Sequence, residues 1–128
     1  PLMWACEAGL AEVVRLLLAR DADPTLRDQW SRTTLMYASC GSEDPTSDHV
    51  AVVRLLLEDG RVEVDARNRI GFTALMIACS YGDTEGGRVL LLERRADPSI
   101  PDNEGVTPMA KARQFEHHET VRLLEVRG

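Results

Sequence analysis

Lysine is almost missing from this 128-residue chain: Lys111 is set against fourteen arginines. Histidine and cysteine occur three times each, and Trp, Tyr and Phe together only six times. The arginines are dispersed, apart from Arg94-Arg95, and the formal net charge is −6. A chain without a basic stripe does not take nucleic acid as its main partner, because phosphate backbones need one. No apolar run approaches the ~20 residues that span a bilayer, so no insertion into a membrane is expected. The chemistry of catalysis is missing too. No cysteine pair has zinc spacing, and Gly86-Gly87 follows no strand and forms no phosphate loop. No serine sits in a Gly-x-Ser-x-Gly elbow. Glu43-Asp44 falls in a loop where nothing would shift a carboxylate pKa. His117 and His118 are neighbours, and neighbours on a helix point about 100° apart, a poor chelate; they read as surface histidines at a helix end. The expectation is no enzyme, no metal and no cofactor.

What is present is repetition. Val13-Val14-Arg15-Leu16-Leu17-Leu18 returns as Val52-Val53-Arg54-Leu55-Leu56-Leu57, then as Val89-Leu90-Leu91-Leu92 and Val121-Arg122-Leu123-Leu124. The leucines Leu16, Leu55, Leu90 and Leu123 lie 39, 35 and 33 residues apart. A second motif keeps the same phase: Thr33-Thr34-Leu35-Met36-Tyr37-Ala38, Thr73-Ala74-Leu75-Met76-Ile77-Ala78 and Thr107-Pro108-Met109-Ala110-Lys111-Ala112. The chain opens inside a fourth copy, Leu2-Met3-Trp4-Ala5. A third motif, Asp23-Pro24-Thr25-Leu26-Arg27-Asp28, has a twin in Asp97-Pro98-Ser99-Ile100-Pro101-Asp102 and a looser form at Glu63-Val64-Asp65-Ala66-Arg67-Asn68. Such a period means stacked units that bury one another's apolar faces, with a long continuous surface rather than a catalytic cleft.

Physical chemistry turns each unit into two helices and an extended exit. Thr33, Thr73 and Thr107 suit a helix N-cap, accepting a hydrogen bond from a free N–H of the first turn. Pro108 stands where proline is welcome, at the first helical position. Gly9 and Gly82 suit the left-handed stop that ends a helix. Val13, Leu16 and Leu17 form an apolar stripe on the second helix, and Asp23-Pro24 and Asp97-Pro98 enforce the exit. Tyr37 and Trp4 are expected to pack between units. Residues 42–48 form an insertion rich in small polar residues with a proline, an exposed loop. Gly86 and Gly87 each cost about 1 kcal/mol relative to alanine in a helix, so the third second-helix is expected to start late or fray.

The three motifs in fixed order resemble the ankyrin repeat, over essentially the whole chain. The chain departs from the family pattern where the motif has histidine: Met3, Met36, Met76 and Ala110 stand there. The resemblance implies an all-α solenoid of helix-turn-helix units joined by hairpin-like loops, one array over 1–128. Its units are approximately 1–27, 28–67, 68–101 and 102–128. The start inside a motif and the stop soon after Leu123-Leu124 read as an excerpt from a longer array. Cys6 and Cys79 share a repeat position where the family commonly has alanine. In a stack they are too far apart for a disulfide, and with Cys40 they read as small buried residues of a reducing compartment, cytosol or nucleus.

The resemblance also implies where a partner lies: the concave face, made by the loop tips and the open side of the first helices. Carried over by position, the tips offer Gln29, Trp30 and Arg32, then Arg69, Ile70 and Phe72, then Asn103, Glu104 and Val106. Ser80 and Tyr81, then Gln114 and Phe115, follow on the helices, and Glu7 and Ala8 come from the first unit. The implied site is Gln29, Trp30, Arg32, Arg69, Ile70, Phe72, Tyr81, Asn103, Glu104 and Phe115. Aromatic side chains and arginine are typical interface anchors. Phe72, Tyr81 and Phe115 have a second reading, turned inward between units. The implied function is a monomeric module that binds another protein. Two alternatives stay open: a structural spacer, or a regulatory arm of a larger protein such as an enzyme or channel. Between Ser42 and Asp65 seven acids meet two arginines, either a solvated surface or a patch for a basic segment.

Overall fold

The structure is a computed structural model that describes residues 1–41 and 47–127. The described residues are helical with no strand. The helices come in pairs: α1 (Leu2–Ala8) with α2 (Ala11–Ala19), α3 (Thr34–Ala38) with α4 (His49–Asp59), α5 (Ala74–Tyr81) with α6 (Thr84–Arg88), and α7 (Pro108–Gln114) with α8 (His118–Arg127). The first helices of each pair stack in one layer, α1 on α3 and α5 on α7; the second helices stack in another, α2 on α4 and α6 on α8. The fold is thus an all-α stack of helix-turn-helix units.

The caps explain the boundaries. The hydroxyls of Thr33, Thr73 and Thr107 accept from the amides of Met36, Met76 and Ala110, and Pro108 opens α7. Gly9 and Gly82 end α1 and α5 with φ of 69° and 72°. They are glycine for a further reason. His49 Nε2 meets the Glu7 carbonyl at 2.7 Å and His117 Nε2 meets the Ser80 carbonyl at 3.0 Å. A carbonyl can only accept, so Nε2 carries the proton in both bonds. A Cβ on Gly9 would sit 2.7 Å from the His49 ring, and one on Gly82 would sit 2.6 Å from that of His117. Each histidine therefore ties its unit to the preceding first helix. His118 is exposed, but His117 is half-buried, so the reading of both as surface residues is corrected for His117.

The core runs between the layers through Leu35, Val52, Val53, Leu56, Leu75, Leu90 and Leu91. Met36 and Met76 are fully buried there, so the place of the family's histidine is filled by flexible apolar bulk. Three expectations are corrected. Trp4 does not pack between units: it is 63% exposed. Tyr37, its counterpart, is half-buried because it has Asp28 and Arg32 beside it. Of the stripe on α2, Val13 and Leu16 are exposed and Leu17 is half-buried, while Val14 is the buried residue. In the second unit the counterpart of Val13, Val52, is covered, since α4 has α2 against it.

The third correction is α6. It starts at Thr84, with the Asp83 side chain accepting from the amide of Gly86 at 3.0 Å, and both glycines are buried. A Cβ on Gly86 would lie 2.2 Å from Asp83 Oδ2; glycine lets the capping carboxylate fold over the turn. The helix then passes into a π-helical turn, Val89–Glu93. From Gly82 to Asp97 the chain is one residue longer than from Gly9 to Asp23, and a π-turn is how a helix absorbs one extra residue. Of the insertion, residues 42–46 lie outside the described residues; Asp48 caps α4 by accepting from Ala51 N at 3.0 Å.

Candidate functional site

The three loop tips are built alike. Side-chain oxygens of Asp28, Asn68 and Asp102 each accept from the amides two and four residues on: Trp30 and Arg32 at 2.9 and 2.8 Å, Ile70 and Phe72 at 3.0 and 2.9 Å, Glu104 and Val106 at 2.8 and 2.9 Å. Short acidic and amide side chains are the ones that can hold such turns. The tips are also tied to one another. The amide of Arg69 donates to the Trp30 carbonyl at 3.0 Å, and that of Asn103 to the Ile70 carbonyl at 3.1 Å. Arg27 donates to the Arg67 carbonyl at 2.8 Å, and Arg67 to that of Pro101 at 2.9 Å. The side chain of Arg69 donates to the Gln29 carbonyl at 2.7 Å, and Asn103 Nδ2 donates to that of Arg69 at 2.9 Å. The result is a cross-linked row of turns, whose side chains are presented from an ordered frame. Preorganisation of this kind lowers the entropic cost of binding.

Between this row and the first helices lies a groove of about 770 Å³. The tips supply Trp30, Arg32, Asn68, Arg69, Ile70 and Phe72; α3 and the turn after it supply Met36, Tyr37 and Cys40. Helix α5 supplies Ile77, Ser80 and Tyr81, and α1 supplies Glu7. Trp30, Ile70 and Tyr81 are 47, 55 and 64% exposed. Phe72 is half-buried and packs against the core, with the Lys111 ammonium 4.7 Å from its ring centre. Lys111 also pairs with Asp102 at 3.5 Å, so it is a bridging side chain in addition to a polar surface for the last unit.

Two lining residues of the groove, Arg32 and Tyr37, are held from behind by Asp28. It accepts from Tyr37 Oη at 2.5 Å and from Arg32 Nε at 2.8 Å, besides the two amides. Its burial opposes ionisation, but the bonds from Tyr37, Arg32 and Trp30 outweigh that and hold its pKa at about 2. The Tyr37 hydroxyl is pushed up by burial and by its bond to Asp28. The Arg32 guanidinium, fixed by Asp28, lies 4.4 Å from the Trp30 ring centre and 5.1 Å from that of Tyr37, within cation–π range of both.

Little here is reactive. Burial, then the charges of Glu7 and Asp83, push the Cys40 thiol up, which keeps it protonated and a poor nucleophile. Burial takes Cys6 and Cys79 to about 12. Among the described residues no group of three or more His, Cys, Asp or Glu is placed to hold a metal ion, and no helix is long and apolar enough to cross a membrane. The acids of the 42–65 sector that are described are partly engaged: Asp59 pairs with Arg61 at 2.7 Å, and Asp65 accepts from the amide of Asp97 at 3.0 Å.

Six of the ten expected site residues converge on the groove: Trp30, Arg32, Arg69, Ile70, Phe72 and Tyr81. Gln29, Asn103, Glu104 and Phe115 lie outside it. Gln29 contributes its carbonyl to the frame, Asn103 its carboxamide, and Phe115 lies with its ring centre 6.2 Å from that of His117. The groove adds Met36, Tyr37, Cys40, Asn68 and Ile77. Their signal was present in the repeat itself: Tyr37 and Ile77 occupy one position on successive first helices, so one groove wall follows from the period.

A sequence model described as ankyrin repeats (3 copies) matches residues 2–102 and 47–126. Relatives include the ankyrin repeat and KH domain-containing protein mask-1 of Caenorhabditis elegans, 35% identical over 97% of this chain and 4% of its own length. The mouse B-cell lymphoma 3 protein homolog is 32% identical over all of this chain and 28% of its own length. The human transient receptor potential cation channel subfamily A member 1 is 31% identical over 88% of this chain and 9% of its own. The chain therefore spans a small part of the relatives that it matches.

Proposed function

The chain belongs to the ankyrin-repeat family, a family of protein-interaction modules that are typically non-catalytic, and from that premise we propose that its groove binds a segment of another protein. The observation that carries this reading is convergence. Aromatic, aliphatic and arginine side chains from two tips and from α5 meet in one groove, on a frame already cross-linked. Large side chains at about half exposure, gathered in one place, need a reason. Trp30, Ile70 and Tyr81 are the anchors, Arg32 and Arg69 the polar contacts, and Gln29, Asn103, Glu104 and Phe115 a rim. The isolated segment acts as a monomer in cytosol or nucleus, without cofactor and without catalysis.

The test uses Trp30→Ala/Ile70→Ala, since Phe72 also packs against the core. Both side chains are half exposed, so the melting temperature should change little. A protein recovered from lysate by the parent and lost by this variant supports the reading; loss of fold in the variant, or identical recoveries, overturns it. A second reading is a regulatory arm within a larger protein. It is favoured by the small share of the relatives that the chain covers, among them a cation channel and the tyrosine-protein kinase HTK16 of Hydra vulgaris. Under that reading the captured partner is another domain of the same polypeptide.

A further inference from the structure

We infer that the segment taken by this groove carries a carboxylate beside its apolar anchor, placed against Arg69; this rests on the groove being a protein-binding site, as proposed above. Three charged side chains line the groove: Glu7, Arg32 and Arg69. Arg32 is committed, its Nε bound to Asp28 at 2.8 Å and its guanidinium stacked on Trp30. Arg69 is not. Its side chain donates to one neutral carbonyl, that of Gln29, and among the described residues no carboxylate pairs with it. Some arginines of the stack have acids, as Arg15 has Glu12, Arg54 has Glu93, Arg61 has Asp59 and Arg88 has Glu85, whereas Arg27 and Arg67, like Arg69, donate to carbonyls; of these three, Arg69 is the one that lines the groove. In a chain of net charge −6, the groove thus holds a guanidinium with no ion-pair partner among the described residues.

A guanidinium has five N–H donors in a fixed fork and matches a carboxylate in two parallel bonds. The bond to Gln29, together with the backbone bond from Arg69 N to Trp30 O at 3.0 Å, holds the residue in place between Trp30 and Ile70. An apolar side chain entering beside Trp30, Ile70 and Tyr81 would displace water from that fork, and a charge-assisted bond strengthens as water leaves. Glu7, on the opposite wall, repels an acidic residue there. The groove therefore selects polarity: the acid of the segment lies at the second tip, against Arg69, and its apolar anchor lies toward α3 and α5.

The experiment is selection of a displayed library of random 12-residue peptides against the folded 128-residue chain, in parallel with Arg69→Glu, Arg69→Gln and Trp30→Ala/Ile70→Ala. Binding of individual peptides is then measured by fluorescence anisotropy. Peptides selected by the parent should combine an aromatic or aliphatic residue with Asp or Glu. They should bind Arg69→Glu about tenfold or more weakly, and Arg69→Glu should recover affinity for versions with Lys in place of the acid. Arg69→Gln, which keeps a donor for the Gln29 carbonyl, should lie between. Enrichment without acidic residues, enrichment of basic peptides, or equal affinity for parent and Arg69→Glu overturns the inference and leaves the groove reading standing. Peptides held equally by Trp30→Ala/Ile70→Ala, or no enrichment on the parent, overturn both.

Discussion

At the residue scale the molecule turns on a short side chain at a turn. Asp28 serves two backbone amides, the Tyr37 hydroxyl and the Arg32 guanidinium at once. Asn68, in the equivalent place, serves its two amides with a neutral oxygen. This predicts a graded series. Asp28→Asn keeps the turn and loses the ion pair, costing on the order of 1 kcal/mol, whereas Asp28→Ala strips several donors of their acceptor and costs about 2 kcal/mol or more. Urea unfolding of the two variants checks the order, and equal stabilities would refute it. The pH dependence follows from the same group. Its folded pKa is about 2 against an ordinary 3.8, so its contribution is complete above pH ~4 and is lost as pH falls toward ~2. The melting temperature of the parent should fall more steeply across that window than that of Asp28→Asn.

At the element scale the instructive case is α6. Helix propensity argued against a helix through Gly86 and Gly87, and the other caps, Thr33, Thr73 and Thr107, were plain from their hydroxyls and spacing. Propensity is a local quantity, and here a tertiary and capping requirement overrides it. The two glycines are not equivalent. A Cβ on Gly86 would collide with the Asp83 carboxylate at 2.2 Å, whereas one on Gly87 would meet Leu123 Cδ2 at an ordinary 3.6 Å. Gly87→Ala should therefore raise stability by about 0.5–1 kcal/mol through the unfolded chain, and Gly86→Ala should lower it by displacing the cap. Denaturant midpoints of opposite sign are the expected result; two shifts of the same sign would show that propensity alone governs this helix. The amides of Gly86 and Gly87, bonded to Asp83, should also be protected from hydrogen exchange.

At the scale of the whole molecule, burial belongs to the neighbour and not to the letter. Val13 and Val52 occupy the same place in near-identical motifs, yet Val13 is 36% exposed and Val52 0%. Val52→Ala should cost about 2 kcal/mol, and Val13→Ala well under 1. Parallel unfolding curves decide this, and equal losses would mean that α2 is covered in solution. The apolar, exposed Trp4, Leu16 and Leu26 belong to the same first unit. The period of the chain, the N-caps Thr33, Thr73 and Thr107 and the left-handed Gly9 and Gly82 were determined by the sequence, because helix periodicity and capping act within a few residues, and the tip positions followed from the family resemblance. Which valine is covered, why Gly9 and Gly82 face a histidine, how an extra residue becomes a π-turn and which six tip and helix side chains share a groove were decided only in the tertiary structure. Those properties depend on atoms some thirty to forty residues away along the chain, and a repeat brings them together by stacking, which no single unit encodes.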